Sequence, residues 1–278
     1  MIPARRSSAS NFKKTAAPVR WAIAAAIAVS AALPAVAQTQ MRVADWRAEG
    51  PKGLVITYKV APAARTTFRA AARKTLLPRL EAMRARGSLA SYQVLANRYI
   101  DAATWDMMVV LDFKNAAELA RWRTVEEAAP GGLSPDMLTL LQSAETAPGE
   151  LLRARTAAPK AGDPKPVYLV IPYDYMVSTD EYLRYVDGYL LPQVDGWLDA
   201  GALSSYGVYL PRYAAGRNWA SLLVLAYRGD AGLASRDRVT NEVRTRLTKT
   251  SPEWKAFSEN KTNIRVERQP IVADEILP

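Results

Sequence analysis

Two short stretches of this chain carry residue types suited to holding an anion beside an aromatic ring. Asn97-Arg98-Tyr99 is followed by Trp105, and Arg212-Tyr213 is followed by Trp219. Arginine offers a planar fork of donors that matches a carboxylate or phosphate. Tryptophan offers a face on which a flat ring can stack. Each stretch is therefore a candidate site for an anion or an aromatic acid. The same pair also suits a hairpin that closes by stacking guanidinium on indole, and residue type alone does not choose between the two. A second candidate lies at Asp174 and Tyr175, within a tyrosine-rich run (Tyr168, Tyr173, Tyr182, Tyr185, Tyr189). Phenol hydroxyls and a carboxylate can bind a polar aromatic ligand or move a proton, or the rings can simply pack.

What is missing narrows the chemistry further. The chain has no histidine and no cysteine. Ser-His-Asp and Cys-His nucleophile sites are excluded, as are the common zinc sites and disulfides. No phosphate-binding glycine loop and no dinucleotide-binding glycine pattern occurs. The expectation is no metal, no cofactor and no strong catalytic motif.

The elements that must position these residues are written twice. Residues 76–120 align with 190–234 at a constant offset of 114. Leu76-Leu77-Pro78 returns as Leu190-Leu191-Pro192, Arg98-Tyr99 as Arg212-Tyr213, and Trp105 as Trp219. An internal repeat of this kind is strong evidence of architecture. In the first copy Gly53–Val60 predicts a strand, and 67–86 a helix with an apolar stripe at Phe68, Ala72, Leu76, Leu80 and Met83. Tyr182, Val186, Leu190, Val194 and Trp197 repeat that stripe. Pro78 and Pro192 fall inside these helices and predict a kink in each, with Gly87 and Gly201 as stops. Residues 92–100 with 105–113, and 206–214 with 219–227, predict hairpins. Alternation places Trp105, Met107, Val109 and Leu111 on one face of their strand and Asp106, Met108, Val110 and Asp112 on the other. Asp106 and Asp112 correspond to Ala220 and Ala226. They are thus the marks of a site that only one copy would keep, or else paired surface charges. Second helices start near Ala116 and Asp230. Third helices start at Ser134-Pro135-Asp136 and Ser251-Pro252-Glu253. Final strands are expected near 150–156 and 263–269.

The N-terminus is of a different kind. Five basic residues precede an apolar run from Trp21 to Val36, and Ala35-Val36-Ala37 is a small-x-small cleavage site. Residues 1–37 are thus expected to be a signal peptide cleaved after Ala37, which places the remainder in a periplasm or outside the cell. The alternative is a retained anchor. The leader's five basic residues make up half of the net charge of +10. The mildly basic remainder is compatible with a small anionic ligand or weak contact with an anionic membrane surface. Strand 105–110 lacks the glycine–aromatic pattern of RNA-binding domains, so no nucleic-acid partner is expected.

The expected organisation is a linker over 38–50, one repeat over 51–156, a proline-rich linker over 157–166 and a second repeat over 167–278. Each repeat has the order βαββαβ, the ferredoxin-like unit. Helices cover one face of such a sheet, and the apolar second face must find another cover. A second copy in the same chain supplies it. The chain therefore resembles the dimeric α+β barrel superfamily in tandem form, including NIPSNAP-like and antibiotic-biosynthesis monooxygenase-like proteins. The resemblance rests on topology, on the tandem layout and on the Ser251-Pro252-Glu253-Trp254 helix start, whose first-copy counterpart has Met137 for the tryptophan. It implies an α+β fold, an intramolecular pseudo-dimer and a pocket between sheet and helices in each half. The superfamily includes haem enzymes such as chlorite dismutase, whose usual histidine ligand is absent here. The leading functional expectation is binding of a small apolar or aromatic acid. The alternatives are a cofactor-independent oxygenase or isomerase, and a scaffold associating through a basic first helix and an acidic second one.

Overall fold

The computed structural model describes residues 38–40, 48, 50–159, 161–214 and 217–277. The expected signal peptide, and most of the 38–50 linker, lie outside the described residues. Among the described residues, no helix is long and apolar enough to cross a membrane.

The first half begins with strand β2 (Gly53–Val60), which spans the whole apolar run expected there. The long helix that follows has three parts: α1 (Arg65–Ala71), a π-helical turn (Ala72–Leu76) and α2 (Leu77–Ala85). The second half repeats this with α5 (Thr179–Tyr185), a π turn (Val186–Leu190) and α6 (Leu191–Asp199). Pro78 and Pro192 sit at the second position of α2 and α6. Proline has no N–H for the carbonyl four residues back, and its ring crowds that carbonyl. The wider turn just before it relieves both problems: Leu77 N–H reaches back five residues to Ala72, and Leu191 N–H to Val186. The expected kinks are thus π turns, conserved between the two copies. Gly87 and Gly201 end the helices with positive φ, at 76° and 77°, a conformation glycine adopts without strain.

Hairpins follow, β3 (Leu89–Asn97) with β4 (Met107–Phe113) and β7 (Leu203–Pro211) with β8 (Ser221–Tyr227). These strands end several residues earlier, or begin two residues later, than the apolar pattern predicts. In the first half come α3 (Ala116–Ala128) and the short α4 (Pro135–Leu138). In the second come α7 (Gly229–Ala234), α8 (Arg236–Thr250) and α9 (Pro252–Ile264). Strand β1 (Gln38–Gln40) pairs with β5 (Leu141–Thr156), a strand much longer than expected. Strand β6 (Val167–Tyr175) opens the second half, and β9 (Arg265–Glu267) and β10 (Ile271–Glu275) finish it.

All of these strands join one antiparallel sheet. Its pairings run β5-β2-β4-β3-β10-β6-β8-β7, and β7 pairs again with β5. Each half lends its last long strand to the other. The first part of β5 pairs with β2 and its second part with β7. Strand β10 lies between β6 of its own half and β3 of the first.

Three cores result. Leu54, Ile56, Tyr58, Phe68, Leu76, Leu80, Met107, Val109, Leu111 and Trp122 fill the space between sheet and helices in the first half. Tyr182, Tyr185, Tyr189, Val194, Trp197, Val243 and Trp254 fill it in the second. The third core, on the opposite face of the sheet, mixes the halves: Val55, Leu95, Met108 and Val110 pack with Val170, Trp219, Leu222 and Val224. That is the cover which the two-faced strands require.

Candidate functional site

The two cavities described here both lie on the face where the halves meet, not between sheet and helices, where the expected pockets are filled by the two cores. The larger has a volume of about 610 Å³. Its walls come from both copies. Trp105 and Trp219, Thr104 and Asn218, and Met108 and Leu222 are pairs at the repeat offset of 114, and all six line it. Strand alternation brings Met108 and Leu222 there, because Met107, Val109 and Leu111 take the helix side.

Trp105 lies on the cavity side as well, which corrects the face expected from alternation. It precedes β4 and follows a different constraint. Asp106 is buried, accepts the Val60 N–H at 2.9 Å and pairs with the Arg65 guanidinium at 2.9 Å. This turns the chain before the strand begins, so Asp106 faces α1 while Asp112 does not. The two acids that the sequence groups together lie in different environments.

The remaining hairpin residues are engaged in structure. The Asn97 carbonyl accepts from Arg65 Nη2 at 2.6 Å and also from Arg69, and the Asn97 amide donates to the Trp105 carbonyl at 3.0 Å. Arg98 contacts two aspartates from the second half: its Nη2 reaches Asp274 at 2.6 Å, and its Nη1 pairs with Asp230. These charge-assisted bonds hold its pKa well above the ordinary arginine value. Tyr99 and Tyr213 are exposed at the surface. Arg212 donates its N–H to the Pro148 carbonyl at 2.7 Å, and its charge acts on Glu150. Of the arginine–tryptophan stretches, only the tryptophans reach the cavity.

The cavity floor is apolar and its rim is charged. Glu145 accepts from Asn218 Nδ2 at 2.6 Å and lies 3.7 Å from Arg217. Arg268 is held by Asp174, through Nε at 2.7 Å. Gln269 Nε2 donates to Asp101 at 2.8 Å. Lys59 donates to the backbone carbonyl of Ala102. Lys59, Glu145, Arg268 and Gln269 escape sequence reasoning, because nothing local to them signals that their strand ends meet. Met108, Leu222, Thr104 and Asn218 do carry a signal, the repeat offset they share with the tryptophans.

The second cavity, of about 250 Å³, is lined by Asp112 with Ser91, Gln93, Tyr209 and the backbone of Gly53 and Gly149. Burial raises the Asp112 pKa, opposed by Lys52 and a bond from Ser91. Glu150 nearby is also raised by burial, although it accepts the Lys52 N–H at 2.8 Å. The Asp112 counterpart Ala226 belongs to the third core.

Tyr175 stacks on Tyr182 at 4.3 Å, which begins a run of rings through Tyr185 and Tyr189 to Trp254. The Arg265 guanidinium lies 3.8 Å over the Tyr173 ring. Burial pushes the Tyr182 hydroxyl up to about 12. The tyrosine cluster is a packed core, and Asp174 stands outside it, with Arg268. Among the described residues, no group of three or more carboxylate, histidine or cysteine side chains is placed to hold a metal ion.

No protein-family model matches the sequence. No curated protein matches it either. Among solved structures, an anthrone oxidase-like protein is similar with a TM-score of 0.51 at 11% identity, over 83% of this chain and 92% of that one. A monooxygenase-like protein of Lactobacillus acidophilus NCFM is similar with a TM-score of 0.50 at 10% identity, over 82% and 95%. At this identity the likeness is one of fold alone: a mixed α/β fold with a large antiparallel sheet and flanking helices.

Proposed function

We propose that this is an exported protein whose two ferredoxin-like repeats form an intramolecular pseudo-dimeric α+β barrel, and that it binds a small apolar or aromatic acid in the cavity between the halves. One observation carries this reading: equivalent residues of both repeats, led by Trp105 and Trp219, converge on one cavity of about 610 Å³. That volume suits a small organic ligand, and an apolar floor with a few polar groups at the rim is the usual composition of such sites. The closed path of strand pairings supports the barrel. The Ala35-Val36-Ala37 sequence supports export.

Native mass spectrometry of the protein purified from its host's periplasm tests both parts. The expected result is a mature chain starting at Gln38 with a small organic acid bound, and Trp105→Ala releasing it. A chain with its leader intact in the cytoplasm would remove the export reading. A ligand retained by Trp105→Ala and by Trp219→Ala would remove the cavity reading.

The second reading, a cofactor-independent oxygenase, follows what the two structural neighbours are called. Any such chemistry would use Trp105, Trp219, Asn218 and Glu145, since Asn97 and Arg98 are engaged elsewhere. Oxygen consumption with the co-purified compound, abolished in Trp105→Ala, is its expected signature. For the scaffold reading, three acids of the second long helix already have partners within the chain. Asp187 pairs with Arg153 at 2.8 Å, and Asp195 and Asp199 pair with Arg155 at 2.9 and 3.0 Å.

A further inference from the structure

The larger cavity is built with near-equivalent residues from both repeats, but its charges are not equivalent. Strand registers place Tyr58 opposite Met107 and Tyr173 opposite Ser221, so the residue after each, Lys59 and Asp174, occupies the same position in the two halves. In the second half that position is neutralised: Asp174 holds Arg268. In the first half the residue directly opposite Lys59 on the neighbouring strand β5 is Ser143, not a carboxylate. Glu145, the carboxylate at the rim, is held by Asn218 and Arg217. Lys59 donates to a neutral backbone carbonyl, that of Ala102. Two of the three charged groups on this wall thus have an opposite or hydrogen-bonding side-chain partner, and Lys59 has a peptide oxygen.

We propose that Lys59 is the anion hook of this cavity, so that its ligand is an amphipathic monoanion. Its flat apolar body lies against Trp105 and Trp219, and its single acid group turns toward the Lys59 ammonium. This rests on the cavity reading above and adds a direction and a charge to it. An ammonium on a four-carbon stem can leave a carbonyl for a carboxylate without moving the backbone. An ammonium–carboxylate bond, with both partners ionised, is stronger than the ammonium–carbonyl bond it replaces. The asymmetry also gives the ligand one orientation in a cavity that is otherwise nearly two-fold, since the opposite end presents an arginine already paired.

The test compares 2-naphthoate with its neutral amide, 2-naphthamide, by isothermal titration calorimetry and by quenching of tryptophan fluorescence. The mature protein is used as wild type, Lys59→Met, Lys59→Arg and Trp105→Ala. Wild type is expected to bind the acid about tenfold more tightly than the amide, one charge-assisted bond's worth. Lys59→Met should bring the acid down to the affinity of the amide and leave the amide unchanged, which also shows that the variant is folded. Lys59→Arg should restore the preference, and Trp105→Ala should weaken both probes. Equal wild-type affinity for the two probes, or an acid preference that survives Lys59→Met, overturns the hook while leaving the cavity reading intact, provided that Trp105→Ala still weakens both. If wild type binds neither probe, the cavity reading fails and the hook with it.

Discussion

Arg65 shows how one side chain fixes a stretch that looks functional in the sequence. Its guanidinium pairs with buried Asp106 and donates to the carbonyls of Asn97 and Tyr99, at 2.6 and 2.9 Å. Removing one partner of a buried pair leaves the other charge uncompensated. Asp106→Ala is therefore expected to cost about 3–5 kcal/mol in urea unfolding, and to widen the cavity rim by releasing the turn before Trp105. Tyrosine hydroxyls give the opposite sign. The Tyr189 hydroxyl is buried with no hydrogen-bond partner, and phenylalanine fills the same space without it. Tyr189→Phe should be neutral or stabilising, by up to about 1–3 kcal/mol. Asp112 adds a dependence on pH. Its folded pKa lies above the ordinary 3.8 because of burial, with Lys52 and Ser91 opposing and Tyr209 and Glu150 facing it. A raised pKa means that the folded state binds the proton more tightly. The stability this lends is complete below the unfolded pKa and is lost as pH rises through the folded one. Asp112→Asn should thus gain on wild type as pH rises from about 4 to 7, in unfolding curves measured side by side. At this scale the sequence was informative where the repeat spoke. Trp105 and Trp219 stand out through their shared offset. The aspartates that claim Arg98 lie far away along the chain, and no local spacing announces them.

The long helices show the same pattern of partial legibility. Their apolar stripes, their stops and the recurring prolines are visible in the residues, because each depends on neighbours within a few positions. What covers their outer face is not. In the second half α8 and α9 pack directly on the long helix, and Gly188 and Gly196 make room for them. A Cβ at Gly188 would lie 2.5 Å from the Phe257 ring, and one at Gly196 would lie 2.6 Å from Val243. The first half has Lys74 and Ala82 at those places, both exposed, and α4 is a single turn. The two repeats therefore share a sheet but not a helical layer. Gly196→Ala should destabilise by about 1–3 kcal/mol through overpacking, measured by thermal unfolding. Two extra methyl groups at its counterpart, in Ala82→Val, should change little on an open face.

Across the whole molecule the decisive feature is the exchange of β5 and β10. Neither half has a complete sheet of its own, and the described residues form one compact unit. Calorimetry should accordingly show a single transition, with calorimetric and van't Hoff enthalpies equal. A version ending before Ile271 should lose the first half as well as the second. The βαββαβ order was readable, but the lending of strands across halves was not, because pairing partners are chosen in three dimensions after the strands exist. This exchange also sets a schedule. During synthesis the first half emerges before the second, with the edge of β3 bare until β10 arrives to cover it. An uncovered edge invites pairing with other chains. Strand β10 is thus the clasp of the first half, and until it closes, that half carries an open seam.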